Sequence, residues 1–202
     1  MPVVIAPRFN GPPHSGHGGY SAGCVTAVLD GDELVASARP ASLDVDGPPP
    51  VDVEAAAAAT GRFAWKHDHP FPTCFGCGPD RAEGDALRLF CGPVGDGRFA
   101  VPWTPAAWTG DGTVDDGFLW AALDCPSSAP VHGTVSAPVV LGRFTVSLEA
   151  PVEVGAPHVI QSWLERSDGR KRHTAVALFD GEGRRLACGR SIWIELARPL
   201  GG

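Results

Sequence analysis

The sequence predicts an α+β fold, an antiparallel sheet curled around one buried helix. Three observations predict it. The stretch Phe118-Leu119-Trp120-Ala121-Ala122-Leu123 is apolar nearly all round, and a helix without a polar face belongs inside a core. Four runs of strand character follow it, at residues 143–149, 158–165, 170–179 and 185–196. Short Gly/Asp turns join the last three. Hairpin-joined strands pair antiparallel, and a sheet with one apolar face must cover it with a second layer.

The chain divides into three zones. Residues 1–45 open on Val3-Val4-Ile5, pass through a Gly/His-rich segment at 11–20, and continue as an apolar helix at 22–29 and a strand at 33–38. Residues 46–72 read as a connector. Its Asp46-Gly47-Pro48-Pro49-Pro50 is stiff and extended. Asp52 is placed to cap an alanine-rich helix at 53–60, and His69-Pro70-Phe71-Pro72 breaks it. Residues 73–197 carry the strongest pattern. Residues 87–91 alternate like a strand and 98–103 form another. The buried helix starts at Asp115 or Asp116 and runs to about Asp124, where Cys125-Pro126 ends it. In the run at 143–149, Phe144, Val146 and Leu148 share one face. Ser167-Asp168-Gly169 and Asp180-Gly181-Glu182-Gly183 are the hairpin turns.

Composition narrows the function classes. The 202 residues are 44% hydrophobic and 19% charged, which is globular and suits one domain or two small fused halves. The net charge is −7 and the pI about 5.4, with no basic stripe for nucleic acid. No apolar run approaches the roughly 20 residues of a membrane helix, and the opening lacks the pattern of a signal peptide. These features predict a cytoplasmic protein without nucleic-acid or membrane partners. The six cysteines are then expected as free thiols.

A faint internal repeat links the two ends of the chain. Residues 30–39 echo 180–190, and the Gly/His segment with its helix echoes Asp115-Asp116-Gly117 with the buried helix. From about Pro72 to Leu196 the order of motifs resembles the hotdog-fold thioesterase superfamily, in its acyl-CoA thioesterase-like branch. The resemblance rests on Cys74-Phe75-Gly76-Cys77-Gly78-Pro79, then Gly117-Phe118-Leu119-Trp120-Ala121-Ala122-Leu123-Asp124, Pro151-Val152, Asp168-Gly169-Arg170 and Gly183-Arg184-Arg185-Leu186-Ala187. His17-Gly18-Gly19 with its helix looks like a second, shortened copy. The resemblance implies a double hotdog with a reduced N-terminal half.

It also implies a site. In this family a His-Gly-Gly turn opens the helix, and its N–H groups polarise a thioester carbonyl. An acid a little over two turns later attacks or activates water. Asp124 matches the acidic position; the alternative is a carboxylate bonded to backbone near a helix end. The turn before it reads Asp115-Asp116-Gly117, so the second half lacks the His and first Gly. There Asp116 is a catalytic candidate or, more commonly, a helix cap. His17-Gly18-Gly19 keeps the turn, but its helix offers Thr26 where an acid would stand. Either this is a tight turn packing two halves together, or the site is shared, with the turn from one half and the acid from the other.

The remaining candidates are weaker motifs. Gly117 and Trp120 would line the substrate site on the buried helix, and Trp103 and Trp108 would line an acyl tunnel or fill the core. Arg170 and Lys171, with Arg166 and Arg172, would receive coenzyme A phosphates or form a solvated hairpin end. Cys74-x-x-Cys77 lacks a second ligand pair at suitable spacing, although His67, His69 and Cys91 are near in sequence, so no metal is expected. No cofactor is implied. The expected function is hydrolysis of an acyl-CoA-type thioester by a homodimer or other homo-oligomer. The alternative is a non-catalytic acyl-CoA or lipid-binding hotdog module.

Overall fold

The computed structural model describes residues 5–11, 15–29, 43, 45–132, 134, 135 and 137–196, without the side chains of 25–29. The strand expected at 33–38, and the first copy of the repeat at 30–39, lie outside the described residues. The elements in order are α1 (Gly18–Leu29), α2 (Val53–Thr60), β1 (Gly92–Gly95), β2 (Arg98–Trp103), α3 (Asp116–Ser128), β3 (Val139–Leu148), β4 (His158–Asp168), β5 (Lys171–Asp180) and β6 (Arg185–Glu195). The strands make one sheet, β1-β2-β4-β5-β6-β3. Every neighbouring pair is antiparallel.

Helix α3 lies against this sheet and is the centre of the core. Trp120 and Leu123 are buried, among Leu119, Ala122, Val146, Ile160, Val176 and Leu178. Cutting Leu123 to Ala here would cost about 2–5 kcal/mol, because the transfer term and the cavity add. The helix runs four residues beyond Asp124, correcting the expected stop at Cys125-Pro126. Pro126 sits inside it, giving up one backbone donor. Ser127 and Ser128 hydroxyls donate to the carbonyls of Asp124 and Cys125, each three residues back, and the Ser162 hydroxyl donates to the Pro126 carbonyl at 2.7 Å. These contacts hold the last turn against the sheet.

Two other expectations change. Residues 87–91 form no strand. Leu87, Leu89 and Cys91 are buried, as the alternation requires. Their backbone, however, bonds to a loop: the N–H groups of Leu87 and Leu89 donate to the carbonyls of Phe75 and Gly76. Arg88, at φ +52°, bends the chain between them. Strand β1 begins one residue later. On edge strand β3, Val146 is buried and Phe144 packs on Trp120. Leu148, at the strand end, is exposed.

The connector packs on the outer face of the sheet. Asp52 caps α2 by accepting from the N–H of Ala55. Ala56 buries against Ala100 and Val159, and the buried Ala59 lies against Gly92. The fully buried Gln161 amide stitches the polyproline run to β4: its Oε1 accepts from Val51 N–H at 3.1 Å, and its Nε2 donates to the Pro48 carbonyl. Among the described residues, no helix is long and apolar enough to cross a membrane.

Candidate active site

Helix α1 begins at Gly18, so the Gly-Gly pair is the first turn of the helix and not a turn before it. It packs along α3 at very close range. A Cβ on Gly19 would meet the Trp120 carbonyl and lie 2.8 Å from the Asp124 Cβ, and one on Gly23 would lie 2.7 Å from the Gly117 Cα. Glycines at those positions let the backbones touch.

That contact brings His17 to Asp124. The backbone N–H of Gly19 donates to Asp124 Oδ2 at 2.6 Å, and His17 Nδ1 stands 3.5 Å from the same oxygen. Both side chains are almost wholly buried. Burial pushes the Asp124 carboxyl up from its ordinary value, against the opposing pull of His17 and the Gly19 N–H. Burial by itself would lower the His17 imidazole, but the Asp124 charge, with help from Cys74, outweighs it and carries it upward.

Thiols complete the floor. His17 Nε2 lies 3.3 Å from Cys125 Sγ, and Cys125 Sγ lies 3.6 Å from Cys74 Sγ. His69 Nε2 is 3.3 Å from Cys77 Sγ. Hydrogen bonds from Cys125 and Cys77 hold the Cys74 thiol well below its ordinary pKa. The contact with Cys74 pushes Cys125 well above. His17, Cys74 and Cys125 present donor atoms within 4.8 Å of one another and could hold a metal ion.

Above this floor is a cavity of about 130 Å³. Gly18 and the floor residues line its base, and Trp65, Phe71, Leu141 and Trp193 supply much of its apolar wall.

Of the sequence-derived candidates, His17, Gly18, Gly19 and Asp124 come together here. The others do not. Asp116 is exposed in the first turn of α3. The N-cap position belongs to Asp115, whose side chain makes no capping bond. Gly117 packs against Cys24 and Tyr20 of α1. Trp120 is a core side chain stacked edge-on to Phe144. Trp103 and Trp108 pack on His158 and Phe118. Arg170 and Lys171 are exposed at the β4–β5 hairpin, where Arg170 donates to the Glu195 carbonyl.

Sequence reasoning missed Cys125, Trp65, His132 and Trp193. Cys125 directly follows Asp124 on one helix, and that adjacency was the available signal.

No family model matches the chain, and no curated protein matches it. Solved structures do. A crystal structure described as a thioesterase superfamily protein is similar over 92% of this chain and 94% of its own, with TM-score 0.56 and 17% identity. The protein has the hotdog fold. Two further hotdog structures agree. The Escherichia coli PaaI protein, from a phenylacetic acid degradation operon, covers 60% of this chain and 89% of its own, with TM-score 0.52 and 14% identity. A phenylacetic acid degradation-related protein from Ralstonia eutropha JMP134 covers 58% and 93%, with TM-score 0.50 and 19% identity. In this hotdog, β1 to β6 form the curled sheet and α3 is the helix it wraps.

Proposed function

We propose that the cavity binds the acyl part of a thioester, and that Asp124 activates the water that hydrolyses it. The observation that carries the proposal is the 2.6 Å bond between Gly19 N–H and Asp124 Oδ2. It joins the His-Gly-Gly turn of one helix to the acid of another at the base of an apolar cavity. This is the shared arrangement that the family resemblance raises. It supports reading residues 1–45 as the remnant of a second, reduced hotdog half, with α1 as its helix.

The chemistry follows from position. Among the described residues, no hydrogen bond engages Asp124 Oδ1, which leaves that oxygen to take a proton from water. His17 and the Gly19 N–H fix the carboxylate through its other oxygen. The N-terminal end of α1, where Gly18 lines the cavity, offers the positive end of a helix dipole to developing negative charge on the thioester oxygen. The apolar walls exclude water from the acyl chain and favour apolar acyl groups.

A second reading has its own support. The Gly19 N–H is already taken by Asp124, and α3 opens with Asp115-Asp116-Gly117 where donors would be wanted. A hotdog that binds acyl-CoA or a lipid without turnover would tolerate both. Release of free coenzyme A from a panel of acyl-CoAs of increasing chain length separates the readings. Turnover of at least one member supports hydrolysis. Saturable binding without turnover across the panel supports the binding module.

A further inference from the structure

Beneath the cavity, three segments far apart in sequence converge with soft donor atoms facing one another. His17 Nε2 is 3.3 Å from Cys125 Sγ, and Cys125 Sγ is 3.6 Å from Cys74 Sγ. The three atoms all lie within 4.8 Å of each other. Cys77 stands outside this trio, with its Sγ 3.3 Å from His69 Nε2. A tetrahedral zinc, with bonds of about 2.3 Å to sulfur and about 2.0 Å to nitrogen, places its ligand atoms roughly 3.5–3.8 Å apart. The 3.3 Å and 3.6 Å separations here are close to that size.

We infer that His17, Cys74 and Cys125 form a binding site for one zinc ion. The inference stands apart from hydrolysis and concerns these three side chains alone.

The surrounding backbone is shaped for it. The Gly78 N–H donates to the Cys74 carbonyl at 2.9 Å, closing the segment that carries Cys74 into a turn. A Cβ on Gly76 would stand 2.5 Å from Cys125 Sγ and 2.8 Å from His17 Nε2. Only a glycine lets this loop settle onto both donors. The imidazole is oriented as well. Its Nδ1 accepts from the Tyr20 N–H at 3.3 Å and faces Asp124 Oδ2 at 3.5 Å, which turns Nε2 toward the thiols. A carboxylate behind a histidine ligand is the usual outer-shell arrangement.

Plain packing accounts poorly for the cluster. Three other cysteines are dispersed: Cys24 lies against Gly117, Cys91 near Ser162, and Cys188 near Glu149. Two thiols and an imidazole gathered at the cavity floor give up hydration that apolar residues would not need. A metal restores it, taking the thiolates as ligands and releasing their protons. Three protein ligands would leave the fourth tetrahedral position to a small exogenous ligand. The ion would then tie the head of α1, the 74–78 turn and α3 into one unit.

The test is elemental analysis of the full chain, purified without chelator and exchanged into metal-free buffer. We expect about one zinc per chain. The Cys74→Ser and Cys125→Ser variants should hold less than a tenth of that, while Cys24→Ser and His69→Gln keep it. Because a ligand variant can fail to fold, cobalt substitution of the wild type gives an independent readout. Visible bands of tetrahedral cobalt, with near-ultraviolet thiolate charge-transfer bands, are expected. Wild-type protein that holds no zinc after purification or zinc addition would overturn the inference. So would octahedral cobalt spectra, or a Cys74–Cys125 disulfide found by mass spectrometry in place of metal.

Discussion

Gly19 and Asp124 stand 105 positions apart in sequence and share a hydrogen bond of 2.6 Å. The bond forms because α1 and α3 lie in backbone contact at Gly19 and Gly23. A side chain at position 19 would collide with the Trp120 carbonyl, which cannot turn aside within a helix. Gly19→Ala should therefore separate the helices, at about 1–3 kcal/mol of overpacking strain. Thermal unfolding should show a midpoint several degrees lower. An unchanged midpoint would mean the helices are not packed as described.

A buried polar network at the end of α3 gives a second expectation. The Ser127 hydroxyl donates to the Asp124 carbonyl and accepts from Trp193 Nε1 at 3.0 Å, and Ser191 Oγ is 2.9 Å away. Ser191 in turn is 2.6 Å from Thr174 Oγ1. Ser127→Ala removes the hub and should destabilise by about 1–3 kcal/mol, the range for stranding buried donors. Trp193 also lines the cavity, so its fluorescence should change with the same substitution.

His132 gives a pH dependence. Burial, with the nearby His69, pushes its pKa down to about 3, while the unfolded chain has the ordinary value of about 6.5. Below about pH 6.5 the unfolded state takes up a proton that the folded state refuses. Stability from this group is complete above that pH and is lost as pH falls toward 3. Between pH 7 and 5 the loss is about 1–2 kcal/mol, allowing for the open side of the cavity. Urea midpoints of wild type and His132→Gln should diverge at pH 7 and converge toward pH 5. Parallel curves would show that His132 does not titrate this way.

The edge strand β3 pairs only with β6 among the described residues. Unpaired strand edges invite association. Light scattering should give at least twice the 21.0 kDa of one chain at micromolar concentration. A single-chain mass would contradict the expectation of a homodimer.

The core was legible where the pattern was local. Phe118 to Leu123 is apolar all round, and all six of these residues are buried in α3. Strands β4, β5 and β6 begin and end within a few residues of their alternating runs, because glycine turns such as Gly169 and Gly183, both at positive φ, punctuate them. Elements whose limits depend on distant partners were harder to read. Pro126 is a stop signal on its own, yet the Ser162 hydroxyl and the neighbouring serines carry α3 past it. Residues 87–91 alternate correctly, but their partner is the loop at Phe75–Gly76, which periodicity does not reveal. The site divides the same way. His17-Gly18-Gly19 and Asp124 were each visible as motifs, and their meeting depends on how α1 packs. Cys74-x-x-Cys77 had no visible partner because Cys125 sits 51 positions from Cys74, and His17 sits 108 positions from Cys125.

The central claim is that Asp124 activates water at this shared site. Replacing it with Asn keeps the shape and removes the base. The direct measurement pairs acyl-CoA hydrolysis with binding of a non-hydrolysable acyl-CoA analogue, for wild type and Asp124→Asn. Hydrolysis should fall by about 100- to 10,000-fold, with the affinity for the analogue unchanged within a few fold. Hydrolysis by Asp124→Asn at the wild-type rate would contradict it and remove Asp124 from the chemistry.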